Sequence, residues 1–430
     1  MDVITYPKRS AWKGLTARPA IDAKTLYESV RPIVDDVRRE GDSAVLRYGE
    51  VFDHVRPSSL ITTPDEITMS ASLVAPGLRL AIGKAALNIE AFHSAQRFGG
   101  IEVETVRGVV CRQKAVAIEK VGLYVPGGTA PLFSTVLMLG IPARIAGCKD
   151  ITLCTPPRED GSIHPAILFA ASVAGVTRVV KAGGAQAVAA MAFGTASIPG
   201  SYKIFGPGNQ YVTAAKQIVS LEGVAIDMPA GPSEVEVIAD GNANPSFIAS
   251  DILSQAEHGA DSQAILVTAS PAIVPKVIAA LSKQIAALPR KETALKALAN
   301  SRIIVLRDSS ELIDFTNLYA PEHLIIQTDD YQAVAERVTN AGSVFMGAYT
   351  PESAGDYASG TNHTLPTGAN ARAFSGVNLD SFIRKITYQE ITPSGLLALG
   401  DTIRSMAGGE LLEAHRNAVT IRLNTLKDNQ

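Results

Sequence analysis

The stretch VGLYVPGGTAPLFSTVLMLG, Val121–Gly140, decides the fold. Its first residues are apolar or small without alternation, as in a strand buried on both faces. Pro126-Gly127-Gly128-Thr129 then breaks the run, and the apolar spacing beyond it predicts a helix over 132–146. The same rhythm repeats downstream. Strands are predicted at 121–125, 151–155, 176–181, 202–205 and 224–227, with helices at 132–146, 163–173, 184–194 and 208–220. After Pro229-Ala230-Gly231-Pro232 the series restarts, with strands at 234–239, 263–269, 302–307, 323–327 and 343–347. Its helices fall at 245–258, 272–288, 310–319 and 329–339. Strands alternating with helices give a parallel sheet covered on both faces. The expected fold class is therefore α/β: two tandem doubly wound, incomplete Rossmann-like units.

Upstream of Val121, Leu26, Val30, Ile33, Val34 and Val37 recur at helical spacing, followed by a second helical run with Ala44, Leu46 and Val51. A longer helix is predicted over about 76–97, and IEVETVRGVVCRQ suggests a hairpin turning at Gly108. His54 and His93, in this region, read as packing or surface residues. Downstream, 350–375 is rich in Gly, Ser, Thr, Asn and Pro and reads as a loop, and from Val377 a helical tail is predicted. The expected division is an N-terminal helical segment with hairpin (1–120), a first unit (121–232), a second unit (233–376) and the tail (377–430).

Composition narrows the function classes. The 430 residues are 46% hydrophobic and 19% charged, as in a globular protein with large buried sheets, and exceed what one core usually fills. Net charge is −3 with no basic run, which argues against nucleic acid as a partner. MDVITYPKRS is not a signal segment, and no run of eighteen apolar residues exists, so a cytoplasmic protein without a membrane partner is expected. Cys111, Cys148 and Cys154 form no C-x-x-C pair and read as buried free thiols.

In open parallel sheets ligands bind beyond the carboxyl ends of the strands. Four glycine turns fall at such places: 126–129, Gly183-Gly184-Ala185-Gln186, Gly206-Pro207-Gly208-Asn209 and Ala230-Gly231-Pro232-Ser233. Each alone is a tight turn, and none is G-x-G-x-x-G. Together they suggest a nucleotide or substrate cleft, because glycines admit close backbone approach and helix N-termini favour anions.

Reactive groups concentrate in the second half. In DILSQAEHGADSQ (251–263), Gln255 and His258 are three apart and share a helix face, with Gly259 as a stop. Read alone, this is either a capped surface helix or two ligands for one small object. Four of the seven histidines, His258, His323, His363 and His415, lie near acids in the second half. Scattered single ligands of this kind suit an enzyme metal site better than the paired ligands of structural zinc. Glu322 and His323 are adjacent at a strand boundary and offer general acid–base chemistry. Asp356 is a candidate oxygen ligand, His363 a ligand or pocket wall, and His415, beside Leu411 and Ala418, reads alone as a core or interface histidine.

Collinear stretches now carry a resemblance. VGLYVPGGTAPLFSTVLMLG, GGAQAVAAMAFGT, KIFGPGNQYV, AIDMPAGPSEV, DILSQAEHGADSQ, YAPEHLIIQT, PESAGDYASGTNHTLPT and EAHRNAVTIR resemble the histidinol dehydrogenase family, from about Ala20 to Lys427. The resemblance implies zinc- and NAD-dependent oxidation of L-histidinol through L-histidinal to L-histidine. It implies zinc ligands Gln255, His258, Asp356 and His415, and a catalytic pair Glu322 and His323. NAD contacts would be Tyr124, Gln186 and Asn209. Substrate contacts would be Ser233, Gln255, His258, His323, Asp356, Glu410 and His415. It further implies a homodimer whose C-terminal tail brings His415 and Glu410 to the other subunit's site. Within these terms His323 takes the alcohol proton and Glu322 activates water. Two alternatives stand beside this reading: a related zinc/NAD dehydrogenase of another small polar primary alcohol, and a zinc hydrolase.

Overall fold

A computed structural model describes residues 1–18, 23–127, 130–228 and 231–428. Gly128 and Thr129 of the first glycine turn, and Pro229 and Ala230 of the linker turn, lie outside the described residues.

The chain opens with a strand, β1 (Asp2–Thr5), which the sequence reading had placed in a helical segment. Helices Ala23–Glu40, Asp42–Phe52, Pro64–Leu73 and Pro76–Ser94 follow. On the last of these Ile82, Ala85, Ile89 and His93 form one buried stripe, whereas Leu80 and Leu87 face outward. Strands β2 (Ile101–Val106) and β3 (Val109–Ala117) make the expected hairpin, with Gly108 at φ +83° where a side chain would be strained.

The first parallel sheet comprises β4 (Lys120–Tyr124), β5 (Asp150–Thr155), β6 (Arg178–Lys181), β7 (Lys203–Phe205) and β8 (Ala225–Ile226). Its spatial order is β6-β5-β4-β7-β8. Val121 and Leu123 pack on one side against the helix Phe133–Ala146. Tyr124, Cys154 and Val180 face the opposite layer, where helices Ala23–Glu40, Gly184–Phe193 and Gln210–Leu221 lie. Helices therefore cover both faces, as apolar strands without alternation require.

The second sheet comprises β9 (Glu234–Ala239), β10 (Gln263–Thr268), β11 (Arg302–Val305), β12 (His323–Gln327) and β13 (Ser343–Met346). Its order is β1-β11-β10-β9-β12-β13, all parallel. Apart from the added β1, the two sheets wind identically: each begins in the middle, runs to one edge, then returns across its start. The fold is the expected α/β pair of doubly wound parallel units.

Three local differences stand out. A helix, Lys291–Ala299, occupies what reads as a connection before β11. The polar loop after β13 contains a short helix, Glu352–Tyr357. The tail is not continuously helical: Ile383–Ile391 is a strand, β14, paired antiparallel with β3 along its length. Its β-branched and aromatic residues (Ile383, Ile386, Thr387, Tyr388, Ile391) favour a pleated edge, and β3 offers one. Helices Pro393–Gly409 and Glu413–Asp428 complete the tail.

The chain divides into two compact units. One holds Met1–Ala95 and Ile118–Phe382, hence both parallel sheets; the other holds Gln96–Ala117 and Ile383–Gln430. Cys148 and Cys154 are buried, Cys111 is partly exposed, and all three thiols are free. Among the described residues, no helix is long and apolar enough to cross a membrane.

Candidate active site

The order β6-β5-β4-β7-β8 reverses direction between β4 and β7, and a crevice opens at such a switch point. There Gly206 follows β7 with φ +124°, and a Cβ on it would come 2.0 Å from the Tyr124 carbonyl oxygen. A buried ion pair, Lys216 with Asp227, fixes this turn. Lys216 Nζ donates to the Gly206 carbonyl at 2.9 Å, and Asp227 Oδ2 accepts from the Gly206 N–H at 2.8 Å. The next turn is set by Asn209, whose Oδ1 accepts from the N–H groups of Tyr211 and Val212 and so caps the helix that follows.

A cavity of about 830 Å³ lies on this carboxyl edge, lined by Asp53, Tyr124, Gly127, Gln186, Asn209 and Tyr211 among others. Tyr124 Oη accepts from the Gly184 N–H at 3.1 Å, while burial raises its phenol pKa. Gln186 is 1% exposed, and its Oε1 has no partner. The cavity is large enough for a dinucleotide, with the helix N-termini at Gly184 and Gln210 on its wall. These residues fit NAD.

A second cavity, of about 520 Å³, adjoins it, with Pro126, Gly127 and Asn209 lining both. Its remaining wall includes Ser233, His258, Glu322, His323, Asp356 and His363. The residues from the second sheet lie at its amino edge, since Ser233 precedes β9 and His323 opens β12. The carboxyl-end rule thus describes the first sheet's contribution and not the second's.

His323 is 3% exposed. Its Nδ1 lies 3.1 Å from the Glu234 carbonyl, which can only accept, so Nδ1 carries the hydrogen and Nε2 is bare. Nε2 has no partner; the Asp356 Oδ1 is 3.8 Å away. Burial lowers the His323 pKa to about 3, so the resting ring is neutral. Glu322 Oε2 accepts from the Glu234 N–H at 2.9 Å, and burial pushes its carboxyl well above the usual range. His363 has both nitrogens engaged: Nδ1–H donates to the Asp356 carbonyl at 3.1 Å, and Nε2 lies 3.1 Å from Thr135 Oγ1. It serves as a pocket wall here.

Glu352 was not singled out by the sequence reading. It is 1% exposed, and neither of its oxygens has a partner. Oε1 lies 3.7 Å from His323 Nδ1. Burial and the neighbouring Asp356 push its carboxyl well upward. The signal was the four-residue spacing of Glu352 and Asp356, which shares a face only if the segment is helical.

Ligand atoms of His258, Glu352 and Asp356 lie within 4.8 Å of one another. Gln255, one turn before His258, is fully buried with both amide atoms unpartnered. Gln255 lies in the last turn of the helix Pro245–Ala256, and His258 sits in the turn beyond it, its N–H donating to the Gln255 carbonyl. Gly259 is not in the left-handed region, so the helix stops without a glycine cap. Orphaned buried amide and carboxylate groups beside an imidazole are a donor set that a divalent cation would satisfy. Glu410 and His415 belong to the other compact unit, and both are exposed.

Two matched parallel sheets around a cleft with a dinucleotide-sized cavity, a neutral imidazole base and a cation donor set define an α/β enzyme of small-molecule chemistry. The histidinol dehydrogenase family profile matches residues 16–423. Histidinol dehydrogenase of Bacteroides thetaiotaomicron is 62% identical over 427 residues, covering 99% of this chain and all of the relative. That of Shewanella oneidensis is 51% identical over 441 aligned positions, with 99% and 100% covered. The crystal structure of histidinol dehydrogenase from Elizabethkingia anophelis superposes with TM-score 0.97 at 52% identity, covering 99% of each chain. The chain belongs to the histidinol dehydrogenase family.

Proposed function

We propose that the chain oxidises L-histidinol through L-histidinal to L-histidine, the end of histidine biosynthesis, using NAD and zinc. The observation that carries this reading is the neutral His323, its Nδ1–H committed to a carbonyl on the Glu322 side and its Nε2 unpartnered on the Asp356 side.

Gln255, His258 and Asp356, with His415 from a second copy of the chain, would hold the zinc; Tyr124, Gln186 and Asn209 would hold the dinucleotide. Zinc, when bound, supplies a fixed Lewis-acid anchor for the substrate's amino and imidazole nitrogens, and NAD supplies the hydride acceptor for each oxidation. Ser233 and the partner's Glu410 complete the substrate contacts in this reading. His323 Nε2 takes the hydroxyl proton as the carbinol carbon is oxidised. Glu322, whose burial makes it a stronger base once ionised, takes a proton from the water that adds to the aldehyde. His323 returns its first proton to the aldehyde oxygen as the hydrate forms, and Nε2 is then free to accept the hydrate's hydroxyl proton during the second oxidation. The buried walls around His323 retain the reactive amino aldehyde between the steps and limit its escape to water.

In this reading the chain works as a homodimer, with the exposed Glu410 and His415 of each tail serving the other copy's site. Free thiols and the absence of a basic run suit a cytoplasmic enzyme without a nucleic-acid partner. The test is stoichiometry: zinc-loaded protein with L-histidinol should form two NADH per substrate consumed. One NADH per substrate, or turnover only with other small diols, would replace the reading with a simple or paralogous alcohol dehydrogenase.

A further inference from the structure

Both members of the acid–base pair take their orientation from one residue's main chain. Glu234 donates its N–H to Glu322 Oε2 at 2.9 Å, and its carbonyl accepts the His323 Nδ1 hydrogen at 3.1 Å. What holds Glu234 is therefore what holds the pair. Its side chain is 2% exposed and gripped in a fork by Arg18, with Nε to Oε1 at 3.1 Å and Nη2 to Oε2 at 2.6 Å. The Gly368 N–H adds a further bond to Oε1.

Arg18 reaches the second segment as well. Its Nη2 donates to the Tyr319 carbonyl at 2.7 Å, and its guanidinium lies 3.8 Å from the centre of the Tyr319 ring. Tyr319 is followed by Ala320, at φ +52°, a left-handed conformation that non-glycine residues rarely hold without support. Pro321 and then Glu322 come next. One guanidinium from the N-terminal segment thus ties the start of β9 to the turn that delivers Glu322 and His323.

We propose that Arg18, acting through Glu234, is a positioning residue for the Glu322–His323 pair. It sets the tautomer and aim of His323 without touching substrate or cofactor. Lysine cannot replace it in full, because the planar fork engages two carboxylate oxygens and a carbonyl together. The inference rests on the proposed roles of Glu322 and His323.

The test uses full-length, zinc-loaded protein, with rates expressed per bound zinc. Arg18→Met should lower kcat about tenfold to a hundredfold while leaving KM for histidinol and NAD within about twofold, the pattern of a misaimed reacting group. Arg18→Lys should recover part of the loss. In a Glu322→Gln/His323→Asn background, Arg18→Met should cause little further loss, because a group that acts through this pair has nothing left to aim. Equal losses in both backgrounds would overturn the proposal, as would folded Arg18→Met with wild-type kcat. Should Arg18→Met fail to fold, Arg18→Met/Glu234→Gln removes both buried charges; low kcat in it supports the proposal, and wild-type kcat overturns it. Wild-type protein inactive on histidinol would instead refute the proposed function.

Discussion

Replacing Glu236 by Gln should stabilise the protein, and by more as the pH rises. Glu236 sits within β9, fully buried, two residues from Glu234 on the same strand. Thr316 Oγ1 donates to its Oε1 at 2.5 Å, and its Oε2 has no partner. Burial pushes its carboxyl from an ordinary 4.5 up to about 8; Thr316 and Arg18 offset part of this, and Glu234 adds to it. The unfolded chain loses the proton near 4.5, whereas the folded chain keeps it until about 8. Between those values the unfolded state binds fewer protons, so stability falls as pH rises. The group's favourable contribution is complete below 4.5 and lost once pH passes about 8. At about 1.4 kcal/mol per pH unit, the whole window has a ceiling of roughly 5 kcal/mol, and local relaxation would reduce it to about 2–3. Glutamine mimics the protonated acid and has no proton to lose. With unfolding entropy near 2 cal/mol/K per residue, 430 residues give about 0.9 kcal/mol/K, so the effect is roughly 2–5 °C in Tm. Thermal scans of both proteins at pH 5 and pH 8.5 check this: the variant's advantage should widen by that amount at the higher pH. An advantage that stays constant or shrinks refutes the assignment of a neutral buried acid at this position.

Glu322→Gln should spare oxidation of the alcohol more than oxidation of the aldehyde, measured by single-turnover NADH formation from histidinol and histidinal separately. Equal losses in both would remove the proposed role in activating water. Glu352→Gln should weaken zinc binding about tenfold to a hundredfold in chelator competition, while the metal-free protein melts no lower than wild type, since a buried carboxyl without partners is removed. Unchanged zinc affinity would exclude Glu352 from the ion's surroundings. Gly206→Ala should destabilise severely, by more than about 3 kcal/mol, because its Cβ would meet the Tyr124 carbonyl at 2.0 Å and φ is +124°. Soluble, fully stable Gly206→Ala in urea unfolding would show that the turn can relax.

The strand–turn–helix rhythm was legible because strands buried on both faces leave long apolar runs, and because glycine turns punctuate them. Strands β9 and β12 fall at the residues read from sequence, and the other strands of the two predicted series shift by one or two residues. β1 escaped because four residues, DVIT, carry too little pattern, and only the open edge of β11 makes them a strand. β14 escaped because its strand character depends on β3 as a partner, nearly three hundred residues earlier in the chain. In the site, His258, Glu322, His323 and Asp356 were visible as residue types, and the cavity gathers them. Glu352 was not, because its face is defined only once 352–357 is known to be helical. The Arg18–Glu234 clamp joins residues 216 positions apart in the chain, and no local spacing announces it.

The polarity of the cleft follows from which edge each sheet presents. In a parallel unit, helices run antiparallel to strands, so their N-termini lie at the carboxyl edge and their C-termini at the amino edge. The first sheet presents its carboxyl edge, with the N-termini of Gly184–Phe193 and Gln210–Leu221 at the larger cavity. The positive ends of these two helix dipoles favour a pyrophosphate. The second sheet presents its amino edge, where the helix Pro245–Ala256 ends just past Gln255 and the helix Ser309–Tyr319 ends just before Glu322. Their carbonyl ends favour positive charge, which suits a divalent cation and an amino substrate. Had both sheets faced the cleft with carboxyl edges, the cation donors would have sat among helix N-termini, working against the field. Opposed edges let one winding pattern, used twice, supply an anion side and a cation side across a cavity of about 520 Å³. The topology thereby separates the two kinds of ligand before any side chain is chosen.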